Sequence, residues 1–262
     1  MSNYFAKDYL NYWDDAVKKS IDGLPIAGDA VQQLYLKKAG IKKTHRILDV
    51  GCGSGRNYQV LADFSSQVFG IDVSYDYLNK AKHSPYVALI KAGLEDTKFP
   101  ADYFDFLFVW AVFDLVEQTA ALIEANRVLN IGGKILLTAK NVNYSMDDRP
   151  ALVAERNAKL KKFPHRFTDA NKLCAVLGDL GFEVIDLIKF PRRGDLGKNS
   201  CDASSTSFYE FILIAQKISI PAKGSVPDIS QEFSNTALQM SSDNHFTDVL
   251  SFFESTCFKD EL

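Results

Sequence analysis

This 262-residue sequence predicts an α/β fold, a mostly parallel, doubly wound sheet with helices on both faces, on three observations. Between residues 45 and 217, short β-rich runs alternate with helical stretches, the order that joins parallel strands by crossover helices. Two of those runs, 104–110 (FDFLFVW) and 133–140 (GKILLTAK), are continuously apolar through their centres, as strands covered on both sides must be. A third run, ending at Val50, passes straight into a loop with glycine at every second position.

Taken in order, residues 1–40 predict a helical cap of two helices, and residues 41–217 the main domain. Its strands are expected at 45–50, 67–72, 86–91, 104–110, 133–140, 183–190 and 207–217. Leu122, Ala125 and Leu129, with Ala121 and Val128, form a helical stripe that stops at Gly132-Gly133. Thr168 opens another helix that buries Leu173, Val176, Leu177 and Leu180 and ends at Gly181. Residues 141–166 predict a helical insertion after a strand's C-terminal end, which in an open sheet lies over the ligand crevice. Residues 218–262 predict a polar tail with two Lys against seven acids. It ends in a short amphipathic helix with Phe246, Val249, Leu250 and Phe253 on one face, docked on its own domain or offered to a homodimer or partner.

Composition narrows the function classes. The chain is 47% hydrophobic and 24% charged, with a net charge of −3 and a pI near 5.8, an ordinary globular balance that speaks against a nucleic-acid or membrane partner. Cys52, Cys174, Cys201 and Cys257 stand far apart with no CxxC pair, so neither a metal site nor a disulfide framework is expected. The N-terminus lacks the apolar run of a signal peptide, and a cytoplasmic location follows as the expectation; the closing Lys259-Asp260-Glu261-Leu262, an ER-retention tetrapeptide in form, is read as coincidence.

The strongest signal is Ile47-Leu48-Asp49-Val50-Gly51-Cys52-Gly53-Ser54-Gly55-Arg56-Asn57. Glycine belongs there because such turns need φ > 0 and because a side chain would keep the backbone from a ligand. A helix start beyond the loop would offer free N–H groups to an anion. Asp72, twenty-one residues past Gly51, ends the next strand, where its oxygens can accept hydrogen bonds from both hydroxyls of a ribose. A dinucleotide site shows its third glycine three positions after the second; here Gly55 follows Gly53 by two.

At these residues the sequence resembles the class I S-adenosylmethionine-dependent methyltransferases, in particular the small-molecule group with the LDVGCGSGR motif. The resemblance runs over roughly residues 40–217. It includes Phe104-Asp105 before the fourth strand, Arg127-Val128-Leu129-Asn130-Ile131-Gly132-Gly133 before the fifth, and Gly181-Phe182-Glu183-Val184 before the sixth. It implies a Rossmann-like sheet of order 3-2-1-4-5-7-6 with the seventh strand antiparallel, and S-adenosylmethionine as cofactor. By that likeness Asp49, Gly51, Cys52, Gly53 and Gly55 hold the methionine end, Asp72 the ribose, and Val73 the adenine. Gly93 stands where the family often has an acid, which leaves the adenine amino contact to Glu95 or to backbone around Leu94. Trp110 and Ala111 face the methionine part, with core packing the equal alternative for Trp110.

The implied reaction is methyl transfer to an O or N atom of a small molecule. If the atom is a hydroxyl oxygen, Asp114 and His165 are the candidates for its proton; the plainer readings are a helix N-cap for Asp114 and an exposed side chain for His165. Residues 156–166 carry Arg156, Lys159, Lys161, Lys162 and Arg166 with no acid, and Arg192-Arg193 adds a basic pair. The ordinary meaning is a solvated helix face. The functional meaning is a grip by Arg166, Arg192 and Arg193 on a phosphate or carboxylate of the acceptor. The rival classes are a nucleotide-dependent oxidoreductase and a cofactor-binding but inactive partner protein.

Overall fold

The computed structural model describes residues 29–160 and 166–221. In chain order it holds α1 (Asp29–Ala39), β1 (Arg46–Val50), α2 (Tyr58–Ala62), β2 (Gln67–Asp72), α3 (Tyr75–Ala81), β3 (Leu89–Lys91) and β4 (Phe104–Val109). A 3-10 turn (Phe113–Leu115) follows, then α4 (Gln118–Val128), β5 (Leu129–Lys140), α5 (Arg149–Leu160), α6 (Ala170–Asp179), β6 (Phe182–Phe190) and β7 (Glu210–Lys217). The sheet order is β3-β2-β1-β4-β5-β7-β6. The pairs β1–β2, β1–β4, β2–β3 and β4–β5 are parallel, and β7 runs antiparallel to both β5 and β6. This is the seven-stranded, doubly wound, Rossmann-like sheet expected from the sequence.

Period-two alternation with both faces apolar builds two cores from the same strands. Leu48, Val50, Leu107, Ile135, Leu137 and Leu213 face one way and pack with Ala121, Leu122 and Ala125 of α4 and Leu173 and Leu177 of α6. Ile47, Val68, Phe106, Phe108, Leu136 and Ile212 face the other way, against Tyr35 and Leu36 of α1 and Val60 and Leu61 of α2. Covering both faces leaves the strand ends as the place where polar groups can meet a ligand.

Several boundaries depart from the expectation. α4 stops at Val128 rather than at Gly132, because β4 claims the next residue: Phe104 pairs with Leu129, and β5 starts there at once. Asp169, not Thr168, caps α6, its carboxylate accepting the N–H groups of Asn171 and Lys172, while Thr168 is buried in a bridge with Asn141. β3 and β7 begin three residues late, at Leu89 and Glu210. The first of the two N-terminal helices, the middle of the basic run (residues 161–165) and the tail's amphipathic face lie outside the described residues.

The chain past β7 still belongs to the domain edge. Ile218 and Ser219 donate their N–H groups to the Gly181 carbonyl, and Gly181 sits at φ +79 with the Ser219 carbonyl oxygen 2.4 Å from where a Cβ would stand. Gly181→Ala should therefore destabilise the fold by more than the ~1–2 kcal/mol that a left-handed conformation alone costs. Urea unfolding of the two proteins checks this, and an unchanged midpoint would mean that the 218–219 segment does not hold this position.

Candidate active site

β1 ends at Val50 and the chain leaves it through Gly51, Gly53 and Gly55, with φ of +64, +54 and +88. A Cβ on Gly51 would lie 2.5 Å from Val112, whereas one on Gly53 would meet nothing within 4 Å. Gly51 thus lets the loop after β4 approach, and Gly53 faces open space. The loop's N–H groups are largely used within the protein: Cys52 donates to the Ile71 carbonyl, Gly55 to the Cys52 carbonyl, and Gly53 to Asp72 Oδ2 at 2.9 Å. α2 begins at Tyr58, three residues past Gly55, is five residues long and has no side-chain cap at its start.

Two carboxylates hold this loop. Asp72, at the end of β2, accepts the Gly53 N–H on one oxygen and the Ser74 N–H on the other, both at 2.9 Å. Asp49 is wholly buried; Asn57 donates to it at 3.1 Å and the Tyr86 hydroxyl at 2.7 Å, and Gln32 of α1 donates in turn to Asn57. Burial pushes the Asp49 carboxyl up to about 7, against the pull of these two hydrogen bonds, with the Asp72 charge pushing the same way. Its side chain presents no surface to the crevice. Through Asn57 and Tyr86 it braces the loop from beneath.

Other expected positions divide in the same way. Val73 is half-buried beside Asp72. Cys52 turns inward at 1% exposure, and burial pushes its thiol up. Leu94 is buried, and Glu95 accepts the Glu117 N–H on one carboxylate oxygen at 2.8 Å, while its other oxygen is buried with no hydrogen-bond partner among the described residues. Trp110 stacks on Phe108 with ring centroids 5.5 Å apart and is 3% exposed, which favours its core reading. Ala111 lies at the rim in a left-handed conformation, φ +57, fastened by its N–H to Thr138 Oγ1 at 2.7 Å.

A charged cluster occupies the ends of β5 and β7, at the carboxyl edge of the sheet where open α/β folds bind ligands. Lys140 Nζ lies 3.4 Å from Asp114 Oδ2 and 3.1 Å from Glu155 Oε1. Tyr209, itself wholly buried, donates to Glu155 at 2.5 Å, and Arg193 donates to the Tyr209 hydroxyl at 3.1 Å. Asp114 sits inside the 3-10 turn, and Glu117 rather than Asp114 caps α4, so the N-cap alternative falls away. His165 lies outside the described residues.

The three arginines do not form one grip. Arg192 pairs with Asp147 at 2.9 Å, and the Arg192 charge and the Ser145 hydroxyl hold that carboxyl down at about 2. Arg193 is committed to Tyr209 by its side chain and to Asp148 by its backbone N–H. Arg166 donates its N–H to the Asp114 carbonyl, and its side chain makes no hydrogen bond or ion pair among the described residues. The sequence reading missed Tyr86, Asn57, Thr138, Lys140, Glu155 and Tyr209. Lys140 left one signal, a charge closing the largely apolar run 135–139.

Asp49→Asn tests the brace. A carboxyl raised from its ordinary value near 3.8 to about 7 keeps its proton in the folded chain while the unfolded chain loses it. Stability from this group is therefore full below pH ~4 and declines by up to ~1.4 kcal/mol per pH unit toward pH ~7. Denaturant unfolding at several pH values should show that decline in the wild type and a flatter profile in Asp49→Asn; equal slopes would count against a buried, protonated Asp49.

Residues 48–137 match the family described as a methyltransferase domain. Over 190 residues the chain is 28% identical to the O-methyltransferase cnsE of Penicillium expansum, covering 68% of this chain and 66% of that protein. It is 28% identical over 162 residues to methyltransferase GfsG of Streptomyces halstedii, covering 56% of this chain and 55% of that one. The chain thus spans under two thirds of the length of these relatives. The geranyl diphosphate C-methyltransferase of Streptomyces coelicolor A3(2) has the same fold, with a TM-score of 0.60 at 15% identity, covering 82% of this chain and all of that one. The reversed β7 already sets the sheet apart from the 3-2-1-4-5-6 order of dinucleotide-binding oxidoreductases. Residues 48–137 thus carry a methyltransferase domain, and the relatives and the shared fold support a class I S-adenosylmethionine-dependent methyltransferase.

Proposed function

We propose that this chain moves a methyl group from S-adenosylmethionine to a hydroxyl oxygen of a small molecule. The observation that carries the cofactor half is the glycine loop turned over the end of β1 with open space at Gly53 and with Asp72 tied to it. Asp72 would take the ribose hydroxyls, Val73 the adenine face, and the backbone at Gly51 and Gly53 the methionine end. When bound, S-adenosylmethionine supplies a methyl that is already electrophilic on its sulfonium. The chain then has to orient a nucleophile and keep water out, which can lower such a barrier by roughly 7–11 kcal/mol.

Oxygen as the attacked atom draws support from the relative named as an O-methyltransferase. The acceptor enters, on this reading, over the ends of β4, β5 and β7, beside Asp114 and Lys140. Arg166 is the cation best placed to meet an anionic group on it, since Arg192 and Arg193 are engaged with Asp147 and Tyr209.

Calorimetry with S-adenosylmethionine and its demethylated product tests the cofactor site. Asp72→Ala should weaken both by about 1.5–3 kcal/mol, roughly ten- to hundredfold or more. Gly53→Val should abolish binding in a chain whose circular dichroism remains native. Wild-type affinity in either folded variant would remove the assignment.

A further inference from the structure

Resting on the O-methyltransferase reading, we propose that Glu210 is the residue that takes the proton from the acceptor hydroxyl. Glu210 opens β7 directly opposite Lys140, the last residue of β5, so their side chains share one face at the carboxyl edge of the sheet. The path to the cofactor loop is short and continuous. Val112 packs over Gly51, Asp114 follows in the same turn, and Asp114 pairs with Lys140.

Three carboxylates surround this edge, and two are committed. Asp114 is bound to Lys140, and Glu155 accepts from both Lys140 and Tyr209. The Glu210 carboxylate is half-buried and accepts no hydrogen bond among the described residues, which leaves its oxygens able to meet an acceptor O–H. Its titration agrees with that geometry. Burial pushes the carboxyl up to about 7; Lys140 on β5 and Arg193 on the β6–β7 loop pull it down, and Asp114 and Glu155 push it up. A base that titrates near the working pH is both available and strong enough to help.

In the step, the acceptor's O–H bond breaks and its proton passes to a Glu210 oxygen, while the bonding pair stays on the acceptor oxygen and forms its bond to the methyl carbon. The carbon–sulfur pair goes to sulfur. Carboxylate becomes carboxylic acid and sulfonium becomes thioether, so charge balances.

The test uses the full chain with its glutamates labelled at the carboxyl carbon, titrated by NMR from pH 5 to 9 with S-adenosylhomocysteine present. One signal should titrate near 7 and be missing from Glu210→Gln, while the variant binds S-adenosylhomocysteine within about twofold of wild type. Methylation is then followed on a panel of phenol, catechol and 4-nitrophenol at pH 8. Glu210→Gln should lose about 10²–10⁴-fold on the un-ionised phenol and catechol, much less on the ionised 4-nitrophenol, and Glu210→Asp should recover part of the loss.

A Glu210 signal titrating in the ordinary carboxylate range near 4.3 overturns the proposal, as does equal loss on ionised and un-ionised phenols. If wild type methylates none of the panel, the proposal is overturned for phenolic acceptors. Failure of wild type to bind S-adenosylhomocysteine would instead sink the underlying methyltransferase reading, an outcome separate from an ordinary Glu210.

Discussion

The reversal after β1 is the constraint on which the rest of the site depends. The chain must turn through three residues of positive φ within five positions, and it does so over a carboxyl group with no exposed surface. Burying Asp49 there is tolerable because it is hydrogen-bonded to Asn57 and Tyr86 and because burial raises its pKa toward the protonated form. Asp72 fastens the same loop to β2, and Val112 closes on Gly51 from β4. The ends of β1, β2 and β4 are thereby locked into one surface, and the strained Ala111, pinned to Thr138, adds the end of β5.

The reversed β7 has a chemical consequence. A parallel strand in that place would present its last residue at the carboxyl edge and bury its first at the far side. Running antiparallel, β7 instead brings its opening residue, Glu210, beside the closing residue of β5, Lys140. Charges that would otherwise stand at opposite edges of the sheet meet above the crevice, with Asp114 and Glu155 arriving from flanking elements. In so little water their interactions are strong, and each partner lost would leave another buried charge uncompensated.

Where sequence reading went astray, it met pairs that have no local spacing. Arg192-Arg193 reads as an unpaired basic pair, yet in space Arg192 finds Asp147 and Arg193 finds Tyr209, across 45 and 16 positions. Trp110 fits a core and a crevice equally well by its chemistry; the stacking on Phe108 decides between them. α4 stops short of its glycines because strand pairing at Leu129 outweighs the local stop signal.

The alternation of strands and helices, the apolar centre of the sheet and the glycine turn at β1 were legible in the chain's local pattern. Each rests on a short-range regularity: a period of two or 3.6, or a conformation that only glycine adopts without strain. Its likeness to a known family supplied the strand order and the cofactor. Which polar side chains share one desolvated space was settled by three-dimensional packing alone. That depends on where distant strand ends arrive, and a buried carboxylate such as Asp49 or Glu155 takes its role from partners that packing, rather than chain order, sets beside it.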